Sequence, residues 1–253
     1  MPTTTTTTKV AKISSFPSQL PLKASLQPST PPITSSTSPQ TSTAATLRSL
    51  YTRAARAFVI RDIPLTYSLL RSAFDLLKPP QSAVDTLSDH RRKWDILRIT
   101  FESTVYISPP PSTEILPESL RTLLSDSPQS LAASIYNRSL ALFTPSVGNA
   151  QKGVLNAAYL PIQVLTTLIY CSLKLDASDV GRIMVEDWLA RREPQYSLDG
   201  PEADGYVKVL DLYCLHILPR LEQWEYAKEF LEYESEMPSH KRAVRELMIS
   251  FSS

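Results

Sequence analysis

Residues 159–175 read YLPIQVLTTLIYCSLKL, residues 176–195 read DASDVGRIMVEDWLARREPQ, and residues 205–235 read GYVKVLDLYCLHILPRLEQWEYAKEFLEYES. Their apolar residues recur three and four positions apart, which is the spacing of a buried helix face. This stretch predicts four helices that pack as two antiparallel pairs. The four buried stripes are Leu160, Val164, Leu165, Leu168 and Ile169; Val180, Ile183, Met184 and Trp188; Tyr206, Val209, Leu210, Tyr213 and Ile217; and Trp224, Ala227 and Leu231. No segment alternates with period two for long enough to indicate a strand, so the predicted fold class is all-α.

A second helical pattern lies nearer the N-terminus. Residues 47–79, LRSLYTRAARAFVIRDIPLTYSLLRSAFDLLKP, predict a helical hairpin in which Asp62 caps the second helix. Its length is close to the roughly 34 residues of a tetratricopeptide repeat, and Ala54 and Ala73 are the small residues that let the helices approach. A reduced form of the pattern returns at residues 222–238. The sequence therefore predicts a divergent TPR-like solenoid over residues 46–253.

Residues 1–45 have a different composition. They are rich in Thr, Ser and Pro, and the first acidic residue of the chain is Asp62. Such a segment buries too little apolar surface to offset the entropy of ordering, so it predicts a disordered tail. A transit peptide is the alternative, since such peptides are also Ser-rich and poor in acids.

Composition excludes several function classes. The chain has 5 glycines and no glycine-rich phosphate loop, and its net charge is +1, which does not favour nucleic acid. Residues 153–173 carry no charge and are long enough to span a bilayer. Because Asn156, Pro161 and Gln163 interrupt this segment, it predicts a helix buried in the core and no direct membrane span.

No catalytic motif is present. Cys171 and Cys214 lie on predicted apolar helix faces and are expected to be reduced core thiols. His216 follows Cys214 by two residues, so on one helix the two side chains point about 200° apart. The sequence predicts no catalytic residue, no metal site and no cofactor. A small hydrolase that uses scattered residues is the competing hypothesis.

Arginines are concentrated near the first hairpin. Arg48, Arg53, Arg56 and Arg61 belong to it, and Arg98 lies in the next predicted helix, which also carries Trp94 and spans residues 88–106. A basic strip of this kind favours docking of an acidic partner. The alternative is an ordinary solvated helix face.

The central stretch resembles the peroxin twenty-six family, the tail-anchored peroxisomal membrane proteins. The resemblance rests on LPIQVLTTLIYCSLKLDASDVGRIMVEDWL at residues 160–189 and HILPRLEQWEYAKEFL at residues 216–231. The shared features are a helix that starts at Leu160–Pro161, a Trp188–Leu189 pair, a turn at Leu218–Pro219 and an acidic helix with Ala227. The family also ends in a C-terminal membrane anchor, and this sequence carries none up to Ser253.

This resemblance implies a non-enzymatic adaptor on the cytosolic face of the peroxisomal membrane; without the anchor, the alternative is a cytoplasmic location. Such an adaptor docks the AAA-ATPase complex of peroxins one and six, which extracts import receptors for reuse. Because the N-terminal half of the family carries much of the ATPase contact, the implied partner-binding residues here are Arg53, Arg56, Arg61, Leu69, Trp94 and Arg98. A TPR-like scaffold subunit of another trafficking or proteasome-type assembly is the alternative.

Overall fold

The structure, a computed structural model, describes residues 39–81, 85–114, 116–146, 154–193, 201–237 and 239–252. All regular elements in these ranges are helices, which confirms the all-α prediction. The α-helices are α1 (Pro39–Val59), α2 (Ile63–Leu76), α3 (Ser88–Ile107), α4 (Glu118–Ser125), α5 (Pro128–Phe143), α6 (Ile162–Lys174), α7 (Ser178–Arg191), α8 (Pro201–Leu212), α9 (Leu218–Arg220), α10 (Trp224–Tyr233) and α11 (Ser239–Ser252). A 3₁₀ turn, Ala157–Tyr159, precedes α6, and a π-helical segment, Tyr213–Ile217, joins α8 to α9.

The predicted N-terminal hairpin is present as α1 and α2. Asp62 caps α2 by accepting a hydrogen bond from the backbone N–H of Leu65 at 3.0 Å, and Pro64 lies in the first turn. Ala54 and Ala73 are fully buried, which agrees with close packing of the two helices. Helix α1 begins at Pro39, so residues 39–45 are helical where the sequence predicted the end of a tail. Residues 1–38, which hold the rest of that prediction, lie outside the described residues.

Helix α6 is the centre of the domain. Val164, Leu165, Leu168 and Ile169 are completely buried, as the periodicity predicted. The helix contacts α3, α5, α7 and α8, so it is covered on several sides. Burial on several sides explains why this segment contains no charged residue before its last turn.

The buried face of α7 differs from the prediction. Met184, Val185 and Trp188 are buried, whereas Ile183 is exposed and Val180 is only partly buried. The reason is Gly181, which lies against α6: a Cβ atom at this position would come within 2.4 Å of Ser172 Oγ. Because α7 approaches α6 closely at Gly181, the face made by Gly181, Met184, Val185 and Trp188 points to the core. Ile183 lies outside this face.

The π-helical segment has a local cause. Pro219 follows it, and a proline has no N–H to donate to the carbonyl one turn earlier. Directly before Pro219, the Leu218 N–H donates to Tyr213 O five residues earlier, which is the hydrogen bond of a π turn. Tyr213, the first residue of the segment, is fully buried and donates a hydrogen bond to Glu186 of α7 at 2.7 Å.

The last helix also faces differently from the prediction. The spacing of Val244, Leu247 and Met248 predicts a helix over residues 239–251 in which these three point inward, but all three are exposed, whereas Ile249 is buried. Two arginines of α11 bond toward the domain instead: Arg245 pairs with Asp211, and Arg242 donates to the carbonyl of Glu234. These ionic and backbone contacts determine which face of α11 points to the domain, and the apolar spacing alone does not determine it.

Candidate partner-binding surface at the α1–α2 turn

The chain reverses direction sharply between α1 and α2. The Arg61 N–H donates to Phe58 O at 3.0 Å, and the Asp62 N–H donates to Ala57 O at 2.9 Å. This pair of bonds is a Schellman motif, whose C′ residue adopts a left-handed conformation. Arg61 occupies that position with φ of 61°. The tight reversal leaves Val59 and Ile60 at the corner, 78% and 73% exposed.

A cavity of about 260 Å³ opens beside this turn. Its floor includes Phe58 of α1 and Phe101 of α3, whose rings meet edge to face with centroids 6.3 Å apart. Thr66 of α2 and Val105 of α3 are buried and complete the base. Three helices therefore contribute to a single apolar depression.

The rim of the cavity is formed by a contact between the turn and the end of α3. The Arg61 guanidinium donates to the hydroxyl of Ser108 at 2.9 Å and to the carbonyl of Ser108 at 3.4 Å. Val59, two residues before Arg61, also lines the cavity and is mostly exposed. The surface thus combines exposed aliphatic side chains with one positioned arginine.

Two further predicted arginines extend this surface along α1. Arg53 and Arg56 are exposed, and α1 contains no acidic residue. Neither arginine forms an ion pair or a hydrogen bond through its side chain with a described residue. Arg53, Arg56 and Ile60 are spaced i, i+3 and i+7, so they share one face of the helix. We call Arg53, Arg56, Val59, Ile60 and Arg61 the corner surface.

The structure corrects the other predicted site residues. Leu69 is 5% exposed and Trp94 is 0% exposed, so both are core residues and neither reaches a partner. The Trp94 ring packs edge to face against Tyr51, with centroids 5.4 Å apart. Their apolar character reflects packing of α2 and α3, not a binding surface.

Arg98 also differs from the prediction, because it has partners within the domain. Its guanidinium pairs with Asp95 at 2.5 Å and lies over the Phe74 ring, 4.1 Å from the centroid. Only 15% of its side chain is exposed. Two other charged residues of α3 are also buried: Arg91 bonds to Lys78 O and Asp85, and Glu102 pairs with Arg138.

Sequence reasoning missed Val59 and Ile60. A signal was present, because both lie off the buried face of α1 and stand just before Arg61 and the capping residue Asp62. Two β-branched apolar residues at the end of a helix, outside its buried face, indicate an exposed apolar corner. Helical periodicity marks a continuous apolar stripe and does not mark two apolar residues that lie outside it.

Cys214 and His216 lie in different environments. Cys214 is fully buried and His216 is exposed. Burial raises the pKa of Cys171 and of Cys214 to about 12, so both remain thiols at neutral pH. Within the described ranges, no group of three or more His, Cys, Asp or Glu side chains is arranged to hold a metal ion.

Comparison of the chain with protein-family models, with curated proteins and with solved structures finds no match. The resemblance to the peroxin twenty-six family therefore stays a prediction from the quoted motifs. None of the helices in the described part of the chain is both long enough and apolar enough to cross a bilayer.

Proposed function

We propose that this protein is a non-enzymatic helical adaptor that docks an AAA-ATPase through its corner surface. On the resemblance of its central stretch, the partner is the peroxisomal complex of peroxins one and six, bound at the cytosolic face of the peroxisomal membrane. The adaptor's role is to hold the ATPase where import receptors are recycled. The single observation that carries the docking role is the pair of free arginines, Arg53 and Arg56, beside the exposed Val59 and Ile60.

Physical chemistry favours a protein partner for such a surface. Exposed apolar groups bordered by charged groups are typical of protein–protein contacts, because the apolar part gains from burial and the charges guide encounter. Arginine suits this position, since its guanidinium binds carboxylates in a bidentate manner. An ordinary solvated helix face carries charges of both signs, whereas every charged residue of α1 is an arginine.

The finer fold assignment belongs to the same proposal. The α1–α2 and α6–α7 pairs are antiparallel neighbours of the kind that TPR-like repeats use. Helix α3, however, packs on α6 across the intervening α4 and α5, which a regular array of neighbouring repeats does not do. We therefore propose a divergent helical-hairpin protein in which only some layers keep the repeat geometry.

The test is retention of the full chain on the purified hexamer of peroxins one and six, with and without ATP. We expect specific retention of the wild-type chain. Retention should fall at least tenfold in the Arg53→Glu/Arg56→Glu variant, because both arginines are exposed and unpaired. The drop should diminish at high salt, since exposed charges are screened over about 8 Å at physiological ionic strength.

The matched control is Lys93→Glu/Lys174→Glu. These two lysines are also exposed, lie on α3 and α6, and give the same change in net charge. If the control is retained as well as wild type, the loss of retention in Arg53→Glu/Arg56→Glu is specific to α1. Absence of wild-type retention in both nucleotide states would overturn the ATPase assignment and favour a scaffold role in another trafficking or proteasome-type assembly.

A further inference from the structure

We infer that the cavity beside the α1–α2 turn receives one apolar side chain from an acidic amphipathic helix of a partner protein. This inference rests on the proposed role as a partner-binding protein, although it does not depend on which protein is bound. It specifies the chemistry of the bound segment: an aliphatic or aromatic anchor with carboxylates one to two turns away.

The lining of the cavity fits an apolar group. Its polar side chains already have partners: the Thr66 hydroxyl donates to Asp62 O at 2.7 Å, and the Thr104 hydroxyl donates to Thr100 O at 2.6 Å. Arg61 donates to Ser108 across the rim. Among the described residues that line the cavity, no buried polar side-chain atom lacks a hydrogen bond. A ligand that must accept a hydrogen bond would find no free donor at the base, whereas a methyl or phenyl group would meet Phe58 and Phe101.

The volume favours a side chain over a drug-sized molecule. The cavity measures about 260 Å³, below the roughly 300–1,000 Å³ of pockets that hold drug-sized ligands. An anchor side chain in a pocket surrounded by a polar rim is the usual arrangement at the centre of a protein interface. The exposed Val59 and Ile60 supply further apolar area next to the opening.

The charges around the cavity define the sign of the partner. Arg61 itself lines the cavity, and Arg56 and Arg53 lie about one and two turns before Val59, which also lines it, so both arginines run along α1 from the opening. The nearest acidic residue in sequence, Asp62, is occupied in capping α2. Carboxylates spaced i, i+3 or i+4 on a partner helix would therefore pair with both arginines while the anchor enters the cavity. A strand-like peptide has less support, because the described residues offer no sheet edge for it to extend.

Two other occupants are disfavoured by charge. The chain's own residues 1–38 contain three lysines and no acidic residue, so they carry the same sign as the corner surface. A second copy bound through the same surface would bring Arg53 and Arg56 of both copies into one interface. Like charges in contact oppose both arrangements.

The experiment is a selection of 16-residue peptides displayed on phage against the full chain, with counter-selection against Thr104→Leu. Thr104 lines the cavity and is only partly buried, so leucine fills the space without removing core volume. Binding of the enriched peptides is then measured by fluorescence anisotropy. The matched control is Thr167→Leu, a partly buried position on α6 whose hydroxyl also donates to the carbonyl four residues earlier.

We expect enriched peptides that are net acidic and share one apolar residue at a fixed helical spacing from the acids. Affinity should fall at least tenfold in Thr104→Leu and in Arg53→Glu/Arg56→Glu, and should change less than twofold in Thr167→Leu and in Lys93→Glu/Lys174→Glu. Unaltered thermal unfolding of the four variants establishes that they are folded. The inference is overturned when no peptide depends on the cavity, or when the dependent peptides are neutral or basic.

The outcome is separable from the ATPase assignment. Peptides with the expected pattern, together with a chain that the ATPase hexamer does not retain, support the cavity and reject that partner. Retention by the hexamer that is unaffected by Thr104→Leu supports the adaptor and rejects the cavity as its contact.

Discussion

Arg98 is paired with Asp95 one turn earlier in α3, with 2.5 Å between the guanidinium Nη2 and the carboxylate Oδ1, and Asp95 is completely buried. The same guanidinium covers the Phe74 ring of α2. Arg98 therefore neutralises the buried charge of Asp95 and packs α3 against α2. This role is structural, and it separates Arg98 from the exposed arginines of α1.

Replacement of Arg98 by methionine is expected to destabilise the domain. The variant leaves the Asp95 carboxylate buried without a counter-ion, which costs about 3–5 kcal/mol in comparable pairs. The measurement is urea unfolding monitored by circular dichroism. The double variant Arg98→Met/Asp95→Asn should regain most of the loss, because no buried charge remains. Equal stability of Arg98→Met and wild type would contradict the proposed role of the pair.

Gly181→Ala is expected to destabilise the contact between α6 and α7, although the higher helix propensity of alanine would favour the variant. Alanine is favoured over glycine in a helix by about 0.8–1 kcal/mol. Here its Cβ would come within 2.4 Å of Ser172 Oγ, and Ser172 is buried and donates to Ile169 O at 2.8 Å. We expect a net loss of about 1–3 kcal/mol from overpacking. The check is thermal unfolding, and Gly181→Ala/Ser172→Ala should recover part of the loss because the clashing oxygen is absent.

Cys171 and Cys214 are expected to resist alkylation in the folded protein. Burial raises the pKa of each thiol to about 12, so at pH 8 only about one part in ten thousand of either is thiolate. Iodoacetamide treatment followed by intact-mass measurement should show no adduct in the native chain and two adducts after denaturation in urea. Rapid modification of the native chain at either site would show that the helices around that thiol open readily.

Alkaline pH is expected to lower stability through the buried tyrosines. Burial, together with donation to Glu186, raises the pKa of Tyr213 well above its ordinary value near 10. A group whose pKa is higher in the folded state contributes stability that is complete below its unfolded pKa and is lost as the pH rises above it. The free energy of unfolding should therefore decline above pH 10.

The variant that tests this is Tyr213→Phe, which keeps the ring packed against Phe230. Its stability should decline with pH less steeply than that of wild type, because one fewer group releases a proton on unfolding. Parallel pH profiles for the two proteins would assign the alkaline loss to other groups, such as Tyr136 and Tyr206, whose pKa values are raised by burial and by their carboxylate partners.

Much of the fold follows from the sequence alone. The apolar spacing located α6 and its four central buried residues, and Asp62 with Pro64 located the start of α2. These features are local: a helix face requires apolar residues every three or four positions, and a cap requires an acceptor just before the first turn. The spacing of Arg53 and Arg56 likewise predicts that they share the side of α1 away from Ala54 and Phe58, and both are exposed.

Only the tertiary structure decided which of these groups face outward together. Trp94 and Arg53 are both plausible contact residues by type, yet one is in the core and the other on the surface. Val244, Leu247 and Met248 have the spacing of a buried stripe but are exposed, because Arg245 pairs with Asp211 and fixes the rotation of α11. Periodicity determines that a helix has a face, while contacts between residues distant in sequence determine where that face points.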